Sequence, residues 1–334
     1  MDYVNLGHTG LRVSRLCAGT MSYGGPADEA ASAALYAASR EAGINFFDCA
    51  DVYNAGRAEE LLGSFVAHER DKVVIATKAY FPTGDGPNDR SSSAYHLVRA
   101  VEASLRRLKT DRIDLFYLHR HDDVTPLDET LRAVEDLRRA GKVLYVGASN
   151  FAAWQTARAV ERAERHGFAP LVALQPMYNL VKRQAEVELL PMASAMGLGV
   201  CPYSPLGGGL LSGKYGVDRR PAQGRLVDNA MYSVRYAAAA YYALAERFET
   251  IARELGHHPA ALAVAWVASH PAVTAPLLGA RDVDQLRPAL GALDIPMTAE
   301  LRERLSALSP TPPPATDRNE EASSHHYGAV LRRV

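Results

Sequence analysis

Residues 73–78, VVIATK, and residues 113–119, IDLFYLH, decide the fold. Each is a short apolar run rich in β-branched or aromatic side chains, and each closes on an ionisable residue, Lys78 in the first and His119 in the second. A strand with one wet face alternates apolar and polar residues; a strand covered on both faces reads as a near-continuous apolar run. Between the two runs, His96, Leu97, Ala100, Val101, Ala103, Leu105 and Leu108 recur at helical spacing, while Arg99, Glu102, Arg106 and Arg107 fall on the other side. Buried strand, amphipathic helix and buried strand form the repeating unit of a parallel sheet.

The unit recurs along the chain. Further apolar runs at 15–20, 44–48, 143–149, 171–175, 198–203 and 273–278 bring the strand count to eight. Eight such strands make a closed (β/α)8 barrel or an open doubly wound sheet. The strand ends choose between them. Asp48 ends the second run, Lys78 the third, His119 the fourth, Ser149 and Asn150 the fifth, Gln175 the sixth and Tyr203 the seventh. An open sheet gathers reactive residues at one crevice, whereas a barrel collects them from the C-terminal ends of many strands. Any one of these is more often a helix cap or a solvated turn, and Ser149 and Asn150 could simply cap a helix starting near Phe151. Six in succession, with an acid, a cation and an imidazole among them, point to a barrel site.

The bulk composition agrees. The 334 residues suit one large barrel, and 48% hydrophobic with 22% charged residues is ordinary for a globular chain. A formal net charge of -1 gives no electrostatic case for nucleic acid or an anionic membrane. Cys17, Cys49 and Cys201 are far apart, which argues against a disulfide framework or a structural zinc and fits a reducing cytoplasm. The N-terminus lacks the apolar core of a signal peptide, and no run is long enough to span a bilayer.

Three segments stand outside the repeat. Residues 3–13, with Gly7 and Gly10, read as a hairpin that could plug the barrel bottom. Residues 207–236 read as a long loop after the seventh strand. The expected division is a barrel over 1–308, ending in a helix, and a tail over 309–334. The tail carries Pro310, Pro312, Pro313 and Pro314, the acidic pair Glu320–Glu321, and then His325, His326 and Tyr327. Such a tail offers little to bury, so its expected role is substrate choice or a subunit contact, and a homo-oligomer is left open.

The chain resembles the aldo-keto reductase superfamily, in the bacterial branch related to voltage-gated potassium channel β-subunits. The resemblance runs from about Tyr3 to Leu308. It is carried by GTM at 19–21, FDCADVY at 47–53, AEELLG at 58–63, ATK at 76–78, SLRRL at 104–108, and DL at 114–115 leading to HR at 119–120. GASN at 147–150, QPMYN at 175–179, YSPL at 203–206, GKY at 213–215 and GAR at 279–281 complete it. It implies a (β/α)8 barrel that moves a hydride between NADPH and a carbonyl carbon, with an aldehyde or ketone as substrate. The implied catalytic four are Asp48, Tyr53, Lys78 and His119. Tyr53 would be the general acid, Lys78 would lower its pKa, Asp48 would hold Lys78 charged, and His119 would polarise the carbonyl oxygen. Read without the resemblance, Asp48 and Lys78 could equally be a structural ion pair with Tyr53 on a surface loop.

On the cofactor side the resemblance implies Tyr203 stacked on the nicotinamide, with Ser149, Asn150 and Gln175 on its carboxamide. Gly19, Thr20, Met21 and Asp48 would lie along the same wall. Ser204, Pro205, Leu206 and Gly208 would wrap the pyrophosphate, helped by Lys214 and Arg225, and Gly279, Arg281 and Gln285 would hold the 2′-phosphate end. A substrate pocket is expected from Tyr23, Tyr53, Tyr80, Phe81 and His119, with loops at 88–93 and 231–236. Ala289 stands where related chains often carry an adenine-binding Asn, Pro288 interrupts an expected helix, and an arginine usual near Ala94 is missing.

Two patterns are discounted. Gly208 to Lys214 fits a phosphate-loop motif, but Tyr215 replaces the Ser or Thr that would hold magnesium. His121, Asp122 and Asp123 are metal-ligand types, yet adjacent residues rarely converge on one ion. Trp154 and Trp266 read as packing residues. The alternative from another functional class is a nicotinamide-binding redox-sensing or regulatory subunit with slow turnover.

Overall fold

The computed structural model describes residues 1–318 and Glu320. The hairpin is present: β1 (Tyr3–Asn5) pairs antiparallel with β2 (Arg12–Ser14). The strands that follow are β3 (Cys17–Gly19), β4 (Phe46–Asp48), β5 (Val74–Ala79), β6 (Ile113–Leu118), β7 (Val143–Ser149), β8 (Leu171–Gln175), β9 (Gly199–Val200) and β10 (Leu277–Leu278). All eight run parallel, in the order β10-β3-β4-β5-β6-β7-β8-β9. Between β9 and β10 the backbone closes the circle. Thr274 N–H donates to Val200 O at 2.8 Å, and Leu277 N–H donates to Pro202 O at 2.9 Å. The architecture is a (β/α)8 barrel with an N-terminal hairpin.

Helices α1 (Glu29–Glu41), α2 (Arg57–Val66), α3 (Ala94–Leu108), α4 (Leu127–Arg139), α5 (Ala153–His166) and α6 (Leu189–Met196) follow the strands in turn. After β9 come α7 (Arg225–Asp228), α8 (Ala230–Arg235), α9 (Ala239–Glu254) and α10 (Pro259–Ala268), and after β10 α11 (Val283–Leu290) and α12 (Ala299–Ser306). In α3 the Ser93 hydroxyl caps the N-terminus by accepting from His96 N–H, and Lys109 ends the helix in a left-handed conformation.

The two-residue period of the strands sorts their side chains into two cores. Val74, Ala76 and Lys78 of β5 point into the barrel, whereas Ile75 and Ala79 meet the helices. The interior core joins Cys17, Phe46, Val74, Ala76, Leu115, Tyr117, Ala173, Cys201 and Leu277, with Leu6 and Val13 of the hairpin closing it below. Fully burying a side chain as large as Phe46, Leu115 or Leu6 contributes about 1.5–3 kcal/mol. Tyr117 fills the barrel because β7 gives way to it: a Cβ at Gly147 would lie 2.5 Å from the Tyr117 ring. The hairpin docks equally tightly. Gly7, at φ +56°, approaches Gly197 and Gly199 so closely that a Cβ would meet backbone at 2.5 Å.

Several expectations are corrected. Strands β9 and β10 are shorter than their apolar runs, because Thr274 and Ala275 both donate to Val200 O and break the ladder at the seam between them. Residues 207–236 are no bare loop: a 3-10 turn (Gly207–Ser212), α7 and α8 lie within them. Helix α11 continues through Pro288 to Leu290. Trp266 is fully buried, but Trp154 is 61% exposed beside His121, so it is no core residue. Residues 310–318 carry no helix or strand. Glu321, His325, His326 and Tyr327 lie outside the described residues.

Candidate active site

Continuing the same inward period by two residues past the interior core places the reactive side chains. Phe46 leads to Asp48, Ala76 to Lys78, Tyr117 to His119, Gly147 to Ser149, Ala173 to Gln175 and Cys201 to Tyr203. They form the top layer at the C-terminal ends of the strands.

Lys78 is the hub. Its Nζ donates to Asp48 Oδ2 at 2.5 Å, to the Cys49 carbonyl at 2.6 Å and to the Tyr53 hydroxyl at 3.2 Å. Gln175 Nε2 donates to the other Asp48 oxygen at 2.7 Å. Burial disfavours the Lys78 charge, but Asp48 and Tyr53 more than reverse this and hold the ammonium well above its usual range. Burial raises the Asp48 carboxyl against the opposing pull of Lys78 and Gln175. Lys78 pulls the Tyr53 phenol down as expected, but the net shift is upward. Burial outweighs Lys78 and pushes the phenol up to about 12. Lys78 moderates that rise but does not bring the pKa below the ordinary value.

Tyr53 sits at the start of an unusual turn. Asn54 (φ +48°), Ala55 (φ +54°) and Gly56 (φ +89°) are successive left-handed residues, and Ala55 has no side-chain polar group to favour that region. The turn is held by Asn54 Nδ2, which donates to Met21 O at 3.0 Å and Tyr23 O at 2.7 Å. Strain of this kind, about 1–3 kcal/mol per residue, persists where the surroundings fix it and clusters at functional sites. Asn150 and Ser204 share it, both at φ +56°.

His119 faces the same cleft, edge-on to Phe81 at 4.8 Å and to Tyr53 at 6.2 Å. Burial, then the Lys78 charge, push its pKa well below the usual imidazole value, so it is neutral. Its backbone carbonyl accepts from Asn150 Nδ2 at 2.9 Å, and Asn150 Oδ1 accepts from the Tyr203 hydroxyl at 2.8 Å. Ser149 donates to the Gln175 carbonyl at 2.9 Å.

These residues open on a cleft of about 1150 Å³. Its walls also include Gly19, Met21, Ser204, Pro205, Leu206, Gly208, Lys214, Arg225, Gly279, Arg281 and Gln285. Lys78 lies behind Tyr53 and does not line it. Thr20 does not line it either, being fully buried with its hydroxyl donating to Asp48 O at 3.0 Å. Tyr23 is not a pocket residue: it is buried against Phe65 in the outer core. Tyr80 packs edge-on to Phe81 and stays behind it, outside the cleft lining. Ser22, Arg120, Gln223, His258 and Asp284 also line the cleft without having been expected. They come from separate connections, and no local pattern in the chain marks their convergence.

The far wall is cationic. Burial, then Arg281 and Arg225, lower the Lys214 pKa, so three cations crowd one region, partly offset by Asp282 and Asp228. Arg281 pairs loosely with Asp228 at 3.6 Å, while Asp282 caps α11 by accepting from Gln285 N–H at 2.8 Å. Asp282 therefore does not compete for Arg281. The Gly-rich turn at Gly207–Ser212 brings Gly208 and Gly209, which have no side chains, and Ser212 to the wall. Asp122 accepts from Ser92 N–H, Val124 N–H, Thr125 N–H and the Thr125 hydroxyl, a structural role in its loop.

An aromatic hydroxyl, a buried ammonium and a neutral imidazole at the mouth of a (β/α)8 barrel can together stabilise an oxygen that gains negative charge. Residues 15–309 match the Aldo/keto reductase family, and the chain belongs to it. It is 42% identical over 323 residues to the uncharacterized oxidoreductase YrpG of Bacillus subtilis, covering 93% of this chain and 97% of that one. It is 38% identical over 336 residues to a probable voltage-gated potassium channel subunit beta of Oryza sativa, covering 95% and 99%. It is 32% identical over 333 residues to versiconal hemiacetal acetate reductase of Aspergillus parasiticus, covering 90% and 94%. The chain is an oxidoreductase of this family. Among the described residues no helix is long and apolar enough to cross a membrane.

Proposed function

We propose that this chain is an NADPH-dependent carbonyl reductase that converts an aldehyde or ketone to an alcohol. The observation that carries the reading is the Lys78 ammonium shared between Asp48 and the Tyr53 hydroxyl, with both charged side chains shut off from solvent.

The cleft fits a nicotinamide dinucleotide by its chemistry. Amide, hydroxyl and aromatic groups of Ser149, Asn150, Gln175 and Tyr203 gather beside the reactive cluster, and the cations Lys214, Arg225 and Arg281 gather where phosphates would lie. When bound, the cofactor supplies the hydride. Tyr53 then gives its phenolic proton to the substrate oxygen. Its raised pKa keeps that proton in place until charge develops on the oxygen, a far stronger base than phenolate. Lys78 steadies the phenolate left behind, and Asp48 and Gln175 fix Lys78. Neutral His119 offers a hydrogen bond to the oxygen without adding a competing charge.

A panel of aldehydes and ketones, with NADPH consumption followed optically, tests the reading; steady turnover of a simple aromatic aldehyde supports it. The likeness to channel β-subunits favours a second reading, a redox-sensing subunit. Tight NADPH binding with negligible turnover on the whole panel, together with a stable protein partner, would establish that reading instead. Unpaired buried Cys17, Cys49 and Cys201 support a cytoplasmic setting.

A further inference from the structure

A second pocket of about 300 Å³ lies away from the cleft, walled by Asp51, Thr83, Asp89, His96, Ala103, Arg106 and neighbouring residues of α3. It is far larger than one water needs, about 10–15 Å³. Asp51 is 2% exposed, and neither of its carboxylate oxygens has a hydrogen-bond partner. The Val52 N–H lies near enough to favour its charge, but outside hydrogen-bonding geometry. His96 is 3% exposed and its Nε2 is likewise unpartnered. His96 Nδ1 lies 3.3 Å from the Asn88 carbonyl, which can only accept, so Nδ1 carries the ring proton and Nε2 is a bare acceptor.

Three buried polar atoms, the two Asp51 oxygens and His96 Nε2, therefore lack a partner although Arg99, Arg106 and Arg107 line the same pocket. A buried carboxylate in that state costs far more than a surface one, so Asp51 keeps its proton near neutral pH until a cation meets it. Neighbouring charges do not settle it. Burial, then Glu59, push the Asp51 carboxyl up to about 8, and Arg107 and Lys78 only partly oppose them. Arg107 is already engaged by Glu59 at 2.7 Å. Among the described residues no three metal ligands converge. At the exposed rim, Arg106 has no ion-pair partner among the described residues.

We propose that this pocket is a binding site for a small zwitterion. A primary ammonium donates its three N–H groups to the Asp51 carboxylate and His96 Nε2, and an attached carboxylate meets Arg106. The site adjoins the Lys78 cluster through the chain itself: Asp51 N–H donates to the Lys78 carbonyl at 3.0 Å, and Tyr53 is two residues on. Nothing in the proposal depends on turnover.

Calorimetric titration of the full chain with β-alanine, ethylammonium and propionate tests it. Binding is expected in the order β-alanine, then ethylammonium, with none for propionate. Asp51→Asn should weaken β-alanine at least tenfold, and Arg106→Ala should bring β-alanine down to the affinity of ethylammonium. If Asp51→Asn fails to fold, Ala103→Leu fills the pocket without touching the buried charges and should abolish binding. Silence from both ammonium probes overturns the proposal and leaves the pocket to water. So does equal binding of propionate, or β-alanine binding that survives Ala103→Leu.

Discussion

Asp48 and Lys78 meet at 2.5 Å with side-chain exposures of 2% and 0%, so each is the other's main charge compensation. Removing one partner of a buried pair costs about 3–5 kcal/mol, because the remaining charge stays buried alone. Lys78→Met is therefore expected to lower the melting temperature and abolish reduction together. The double variant Asp48→Asn/Lys78→Met should regain stability relative to Lys78→Met while staying inactive. A double variant less stable than the single one would show that the pair is not the source of the loss.

Tyr53→Phe isolates the proposed proton donor from its surroundings. The hydroxyl makes one contact with Lys78 and serves no packing role that phenylalanine cannot fill. The rate of reduction should fall about 10²–10⁴-fold. NADPH affinity, read by fluorescence titration, should stay within a few-fold. Near-normal turnover would assign the acid to another group.

The pH profile follows from two shifts of opposite sign. Tyr53 must be protonated to donate, and its raised pKa keeps it so until pH climbs towards about 12. His119 must be neutral, and its lowered pKa keeps it so until pH falls well below the usual imidazole range. Reductive kcat/KM is thus expected to be flat from about pH 6.5, the free imidazole value, to about pH 10, the free phenol value. An inflection near pH 7 that vanishes in His119→Asn would show that the imidazole is not held neutral.

On the proposed reading, cofactor choice would rest on Arg281. NADPH differs from NADH by a 2′-phosphate, and a charged hydrogen bond to it is worth roughly 1.5–3 kcal/mol. Arg281→Ala should cost about 10–150-fold in NADPH affinity and leave NADH binding nearly unchanged. Because Asp228 holds the same guanidinium at 3.6 Å, Asp228→Asn should tighten NADPH. Equal loss of both cofactors in Arg281→Ala would move the phosphate contact elsewhere.

The barrel was legible because its signal is local. Continuous apolar runs such as 113–119 need no knowledge of their partners, and their polar ends named the top layer of the site. What escaped depends on distant geometry. Tyr23 looked like a pocket aromatic beside a GTM motif, but Asn54 pins its backbone and the ring turns towards Phe65. The net direction of the Tyr53 shift escaped too, since the sequence shows that a lysine is near but not how much solvent the folded site withdraws from the phenol. Three buried polar atoms at Asp51 and His96 were invisible for the same reason: an unmet hydrogen bond is a property of space, not of spelling.

The seam between β3 and β10 has a consequence for how the chain is made. Cys17 pairs with Leu277, and the hairpin at Gly7 docks on Gly197. On the ribosome, at roughly 5–20 residues per second, the first strand of the circle waits on the order of tens of seconds for its last neighbour to emerge. Until then its edge and the hydrophobic face of the hairpin are open to any other strand. Messages truncated before residue 277 should yield aggregating fragments, and the nascent protein should depend on chaperones through most of its synthesis.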